Sequence, residues 1–308
     1  MFSPILRQTL ALTKTRLSIA FALLITGCTH TTLTPQGEYK PTKALTSTQY
    51  LSMATAIPVI ASMASELVRD TEINIHYLPP PRYSIKRIPG WLKRQSTETF
   101  PKVDAIAGIA SVWPDLDIYP ALRVHNIQVV PIDVAHAYIP GGERVVITPN
   151  KSNQLGYFWL NPANALIMLG ILERDLSNLI HQVGIDEVQV QQQADYLTRN
   201  MQDISIRLRQ FQVNFDKILS KQDMMQVAID SNDLYELASA TLLPIVSIEE
   251  AMESDFPTLL ITNKKPKHRN FKNLPSHLKL WEIDDFSKPR AGSFTDRWQK
   301  IISALEHN

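Results

Sequence analysis

Cysteine is almost absent from this chain: of 308 residues, Cys28 is the single one. That excludes an intramolecular disulfide and, beyond position 28, a thiolate metal site or a thiol nucleophile. Any metal would have to be held by His, carboxylate or phenolate. There is no apolar run of the ~20 residues that a spanning helix needs. Neither charge is in excess: 31 Lys and Arg stand against 30 Asp and Glu, a net +1, so the basic surface expected of a nucleic-acid binder is missing. Catalytic signatures are missing as well. There is no Gly-x-Ser-x-Gly, no phosphate-cradling glycine loop and no His-Glu-x-x-His. Asp115 and Asp117 form Asp-x-Asp, which in a loop is ordinarily solvated or capping. The expectation is a binding or interaction protein, not an enzyme.

What is present begins with a secretory layout. Arg7, Lys14 and Arg16 precede an apolar run from Leu17 to Ile25, and the segment closes as Leu24-Ile25-Thr26-Gly27-Cys28. A positive region, a short apolar region and a small residue at the cleavage point describe a signal peptide. An apolar residue at −3, a small one at −1 and then Cys resembles the bacterial lipobox. By that resemblance residues 1–27 are removed, Cys28 is acylated, and the protein is a membrane-anchored lipoprotein of the cell envelope, facing the periplasm or the exterior. Acyl chains hold a protein on a bilayer at ~0.8 kcal/mol per buried CH₂. Residues 28–48 are rich in Thr, Pro, Gln and Lys and read as a tether.

Composition beyond the tether is that of a globular protein, 44% apolar and 20% charged. Strand-like runs at 50–54, 73–78, 103–109 and 127–132 alternate with helical stretches at 58–68, 91–94 and 114–124. Such alternation argues for a parallel sheet covered on both faces. Asn161-Pro162 opens a helix to about Ile180, with Asn161 as N-cap. Ala194, Leu197, Met201, Ile204, Leu208, Phe211, Phe215 and Ile218 then step 3-4-3-4-3-4-3, an a/d seam on one long helix. The seam either meets a partner chain or is a spine laid against flanking domains, and the second is expected. Strands at 226–229, 245–248, 258–262 and 279–283 follow, with helices at 233–240, 249–253 and 294–305. The fold class is therefore α/β, two α/β lobes joined by a single long spine helix. The lobes are 49–185 and a smaller 221–308, with 186–220 linking them. The basic run Lys264–Lys272 reads as a solvated loop.

Two such lobes behind a lipobox resemble the solute-binding proteins of zinc and manganese ABC importers, of the cluster A-I type. The resemblance rests on strings. Tyr157-Phe158-Trp159-Leu160-Asn161-Pro162-Ala163-Asn164-Ala165 is similar to that family's His-x-Trp-Leu-(Asp/Ser/Asn)-Pro-x-Asn-Ala. Tyr77-Leu78-Pro79-Pro80 resembles the strand end before its first ligand loop. Ala238 through Val246, with Leu243-Pro244, looks like the segment after its third metal histidine. Ile283-Asp284-Asp285-Phe286 is similar to its Leu-Asp-Pro-Leu. The likeness runs from about Gln49 to Leu305.

The resemblance implies a monomeric receptor that holds a metal ion as transported ligand between its lobes and presents it to an ABC permease. It implies three histidines and one carboxylate as ligands, two from each lobe. This chain departs from that set. The first position falls in a shortened loop, Pro81-Arg82-Tyr83; the second is Tyr157; the third is Ser231; the carboxylate is Asp284. A phenol with a pKa of ~10 is a poor zinc ligand unless it ionises, so no ordinary Zn²⁺ site is expected. Two readings stay open. Tyr83, Tyr157 and Asp284 are hard oxygen donors suited to an ion such as ferric iron, with His136 as a further donor if its loop, which carries Gly141-Gly142 and Glu143, folds inward. Alternatively the tyrosines fill a vacated site with packed rings, and the protein is a non-transporting accessory or structural surface lipoprotein. His76, before Tyr77, is a further substitute. His181 suits a helix C-terminus, and His30 and His268 have no assigned role.

Lipid attachment has a direct check. Acyl labelling of the wild type should disappear in Cys28→Ala, which should stay unprocessed; normal labelling of that variant would refute the anchor.

Overall fold

The strand–helix alternation resolves into two parallel sheets. The computed structural model describes residues 51–149, 154–184, 186–264, 271 and 274–306; Cys28, the tether and His268 with most of the basic run lie outside the described residues. The first sheet comprises β1 (Leu51–Thr55), β2 (Ile73–Tyr77), β3 (Ala105–Gly108) and β4 (Val130–Asp133), in the order β2-β1-β3-β4. All its pairings are parallel, with Met53 opposite both Ile75 and Ala105. Its crossovers carry α1 (Pro58–Leu67), α2 (Ile88–Leu92) and α3 (Tyr119–Arg123).

The 114–124 stretch, expected as helical throughout, is broken at Asp117. A 3₁₀ turn covers Pro114–Leu116, Asp117 is extended, and α3 begins only at Tyr119. Two local causes suffice. The Asp117 carboxylate accepts the Tyr119 N–H at 2.9 Å, an Asx turn, and Pro120, having no N–H to donate back to the Leu116 carbonyl, suits the first turn of a new helix rather than the interior of a continuing one.

A 3₁₀ turn at Phe158–Leu160 leads into α4 (Pro162–Val183), where the Asn161 side chain accepts the Ala163 N–H at 3.0 Å. Then comes α5 (Glu187–Lys221), 35 residues capped by Asp186 through the Val188 N–H. Beyond it, the second sheet repeats the first. Its strands are β5 (Gln226–Ile229), β6 (Ile245–Val246), β7 (Thr258–Thr262) and β8 (Leu278–Glu282), in the order β6-β5-β7-β8 and all parallel. Helices α6 (Tyr235–Ala240), α7 (Ile248–Glu253) and α8 (Phe294–Glu306) accompany it. Every residue of β7 is buried, as expected for a central strand covered on both faces.

The spine helix settles where the 3-4 seam goes. Leu197, Ile204, Leu208, Phe211, Phe215 and Ile218 are buried, and α5 packs on α4 and α1 from the first lobe and on α8 from the second. Phe211 lies 6.4 Å from the ring of Trp298, and Phe215 lies 5.2 Å from Trp281. The seam's partner is thus the same chain. Asn200, the buried polar residue of α5, donates to the carbonyls of Leu67 at 2.8 Å and Arg69 at 2.6 Å. These are orphan acceptors at the end of α1, so the spine also caps a helix of the first lobe. One core cluster runs from Met53 and Ile60 through Leu208 to Trp281 and Trp298, and the described residues fall in a single compact unit.

Leu208 is fully buried between the lobes' helices. Leu208→Ala should cost about 2–5 kcal/mol, the range for an emptied core leucine. The check is the urea midpoint, and an unchanged midpoint would mean that the seam is not packed.

Candidate functional site

In an open parallel sheet the crevice for ligands lies outside the carboxyl ends of the strands, where the strand order reverses. In the second lobe those ends deliver Asp230 and Ser231 after β5, Asn263 after β7, and Asp284 and Asp285 after β8. From the first lobe come the turn at Ile85–Arg87 that follows β2 and the segment that carries Tyr157 and Trp159 into α4.

These two sets of groups bind to each other. The Tyr157 N–H donates to the Asp233 carbonyl at 2.9 Å, and the Ile85 N–H to the Ser287 carbonyl at 2.8 Å. Trp159 Nε1 donates to the Asp285 carbonyl at 3.0 Å. Glu236, 1% exposed, accepts both the N–H and the hydroxyl of Thr148, at 2.7 and 2.9 Å. Burial pushes the Glu236 carboxyl up, and the two Thr148 bonds only partly offset it. Lys86 Nζ reaches the Asp233 carboxylate at 2.6 Å. A Cβ at Gly156 would come within 3.1 Å of the Asn232 carbonyl, so glycine there permits the close approach of the lobes.

Magnitudes rank these contacts. Lys86 is 58% exposed, and such a pair contributes ~0–1 kcal/mol. The buried hydrogen bonds contribute ~0.5–1.5 kcal/mol each, and a buried group left without its partner costs ~1–3 kcal/mol. The buried bonds therefore hold the lobes together, while Lys86 sets the charge.

Tyr157 sits at the centre. Its side chain is 2% exposed and its ring stacks on Trp159 at 4.7 Å and 16°. Burial first, then the nearby charges of Asp233 and Asp285, push its phenol far above the usual range, so it remains protonated at neutral pH. Lys86 Nζ stands 5.8 Å over the same ring.

The other sequence-designated residues are dispersed. The Ser231 hydroxyl accepts the Asp233 N–H at 3.3 Å and caps the following turn. Asp284 is ion-paired within its own lobe. Arg297 holds it with two bonds, Nε to Oδ2 at 2.8 Å and a second nitrogen to Oδ1 at 2.9 Å. Tyr83 is half-buried with the Arg82 guanidinium 5.9 Å over its ring. His136 is exposed and bridged to Arg144 across the Gly141-Gly142 turn, so its loop does not fold inward. His76 is exposed on β2. Among the described residues no three of His, Cys, Asp and Glu converge to hold a metal ion. A protonated phenol, an ion-paired carboxylate and a capping serine do not suit Zn²⁺, which takes neutral imidazole, carboxylate or thiolate.

Sequence reasoning missed Lys86, Asp233, Asp285 and Arg297. The Asp284-Asp285 doublet was the available signal, since consecutive residues leaving a strand point to opposite sides. Here it is Asp285 whose charge reaches Tyr157. Lys86 and Asp233 are 147 positions apart, and no local pattern joins them.

No family model matches the chain, and no curated protein matches it. Solved structures do. ZnuA aligns with a TM-score of 0.55 at 13% identity, covering 83% of this chain and 97% of that one. A Zn(II)-bound AdcAII variant from Streptococcus pneumoniae gives 0.57 at 14%, covering 83% and 97%. The solute-binding protein FpvC from Pseudomonas aeruginosa, in complex with Mn²⁺, gives 0.52 at 12%, covering 84% and 96%. At such identities these likenesses establish the fold: the chain has the two-lobed α/β architecture of these binding proteins.

The Asp284–Arg297 pair yields a pH signature. Burial would raise the Asp284 carboxyl, but the bonds and charge of Arg297, with Arg290 and the Phe286 N–H, hold it below its ordinary 3.8. A depressed pKa contributes stability above the unfolded value that is lost as pH falls through the folded one. Arg297→Met removes both guanidinium bonds from a largely buried carboxylate and leaves it Arg290 at 3.7 Å and the Phe286 N–H, at a cost of up to about 3–5 kcal/mol. Urea midpoints should therefore differ most at neutral pH, and the gap should narrow in acid as Asp284 protonates. A gap independent of pH would contradict the pairing.

Proposed function

We propose that this chain is a lipid-anchored, extracytoplasmic protein on the plan of the metal-importer receptors whose interlobe site is closed by its own side chains. It partners an ABC permease as an accessory binding protein rather than carrying Zn²⁺ or Mn²⁺ to it. The observation that carries this reading is the Lys86 ammonium, 2.6 Å from Asp233 and 5.8 Å over the Tyr157 ring. It stands between the segments that bear positions 157 and 231, two of the positions the resemblance assigns to metal ligands. A positive charge there opposes a divalent ion and pairs the carboxylate that would attract one. The lipobox supports the anchor, and the fold shared with ZnuA and FpvC supports the permease. Nothing in the charge balance favours nucleic acid.

Isothermal titration of chelator-treated full-length protein in detergent is the test. Neither Zn²⁺ nor Mn²⁺ should bind tightly at one to one. Tight binding that Asp285→Ala or Tyr157→Phe abolishes would overturn the reading and make the protein a metal carrier with an unusual ligand set.

A further inference from the structure

Away from Tyr157, a cavity of about 320 Å³ opens between α1 and the loop that leads into α8, at the lower end of the ~300–1,000 Å³ typical of small-molecule sites. Ser62, Ser65 and Arg69 line it from the first lobe, and Arg290, Ser293 and Arg297 from the second. Arg290 and Arg297 also line an adjoining cavity of about 400 Å³, together with Lys300.

The charges around the first cavity are unequal in their availability. Its one lining carboxylate, Glu66, is turned to Thr295, whose N–H donates to it at 2.8 Å and whose hydroxyl donates to its other oxygen. Asp284 accepts both bonds of the Arg297 fork, at 2.8 and 2.9 Å, and the Phe286 N–H at 3.1 Å. Arg69 faces Asp70 and Asp203, each at 3.7 Å, and the Asn200 amide oxygen at 3.2 Å. Asp296, at the start of α8, accepts the Ser293 N–H at 3.2 Å. Arg290 is different. Its Nε stays 3.7 Å from Asp284, with the side chain 56% exposed. That exceeds hydrogen-bond distance, so Arg290 acts on Asp284 as a neighbouring charge only. Arg290 thus brings a planar fork of five donors to the cavity mouth, unspent on Asp284. Next to it, a Cβ at Gly292 (φ +100°) would stand 3.7 Å from Lys300 Nζ, which adds a second cation at the loop.

We propose that this cavity binds a phosphate group, free or carried on a small molecule or lipid headgroup, with Arg290 as the recognising side chain. Guanidinium forks suit carboxylates and phosphates alike. One fork matches a planar carboxylate, as Arg297 does Asp284. Arg69 and the Ser62 hydroxyl line the same cavity from the first lobe, and donors from several directions match a tetrahedral oxyanion better. The Ser65 hydroxyl is already donated to the Ala61 carbonyl at 2.7 Å and takes no part. Because the walls come from both lobes, a bound phosphate would join them on a face that Tyr157 does not occupy.

The test uses full-length protein in detergent at constant ionic strength, titrated calorimetrically with inorganic phosphate and with glycerol 3-phosphate. A parallel arm compares binding to phosphatidylcholine vesicles with and without phosphatidic acid. Saturable binding to either soluble probe, weakened at least tenfold in Arg290→Ala, supports a free or small-molecule phosphate. Enhancement by phosphatidic acid alone, lost in the same variant, supports a headgroup. Arg290 is exposed, so the variant should keep the wild-type melting temperature; a tenfold loss also in Arg290→Lys, which keeps the charge without the fork, would tie recognition to that geometry. No saturable binding on any arm, or binding unchanged in Arg290→Ala, overturns the proposal.

Discussion

The amide of Tyr157 donates to the carbonyl of Asp233 at 2.9 Å, and the amide of Ile85 donates to Ser287 at 2.8 Å. Backbone bonds of this kind fix the spacing of the lobes in a way that side-chain bridges cannot, because neither partner has a rotamer to change. Once the two strands of chain are this close, the ring of Tyr157 has no exit to solvent. It stacks on Trp159, whose indole N–H then meets the Asp285 carbonyl. Glu236 and Thr148 add a buried charged contact in the same interface. Opening the cleft would strand several of these donors and acceptors together. Each would cost ~1–3 kcal/mol if left unmade in a dry environment, although water entering the cleft would recover part of it.

The closed geometry also decides the electrostatics. Two carboxylates, Asp233 and Asp285, lie close enough to Tyr157 to add to the rise in its pKa that burial chiefly causes. Both come from the second lobe, so a cation of the first lobe placed beside them links the two lobes. Lys86 supplies that cation from the first lobe. A divalent ion would have to displace an ammonium that is covalently part of the site, and would find a neutral phenol and a serine hydroxyl committed to a turn. Asp284, the carboxylate that the family resemblance marks, is withdrawn to Arg297 and stabilises the start of α8 rather than the cleft.

Much of this architecture was legible in the sequence because it is written locally. Asn161-Pro162 and Asp186 are capping residues whose hydrogen bonds form within two residues. The 3-4 seam of α5 is a periodicity, and it maps onto the buried face of the observed helix. Where local rules conflicted, the reading failed: Asp117 and Pro120 split one expected helix into two short pieces. The site was less legible. The Trp-Leu-Asn-Pro string located Tyr157, but no pattern in the chain distinguishes Asp284 from Asp285, because only the packing of α8 places Arg297 beside one of them. Lys86 with Asp233 is a purely tertiary pair, as is Glu66 with Thr295, 229 positions apart.

The claim on which the rest depends is that the lobes are held shut without a metal. Amide hydrogen exchange at Ile85 and Tyr157 reads it directly, since both N–H groups are donated across the interface. In full-length protein, both amides should be protected to the level of the core strands, and chelator or added Zn²⁺ should leave their rates unchanged. Rapid exchange in chelated protein that slows when Zn²⁺ is added would show an open cleft closed by metal, and would contradict the account.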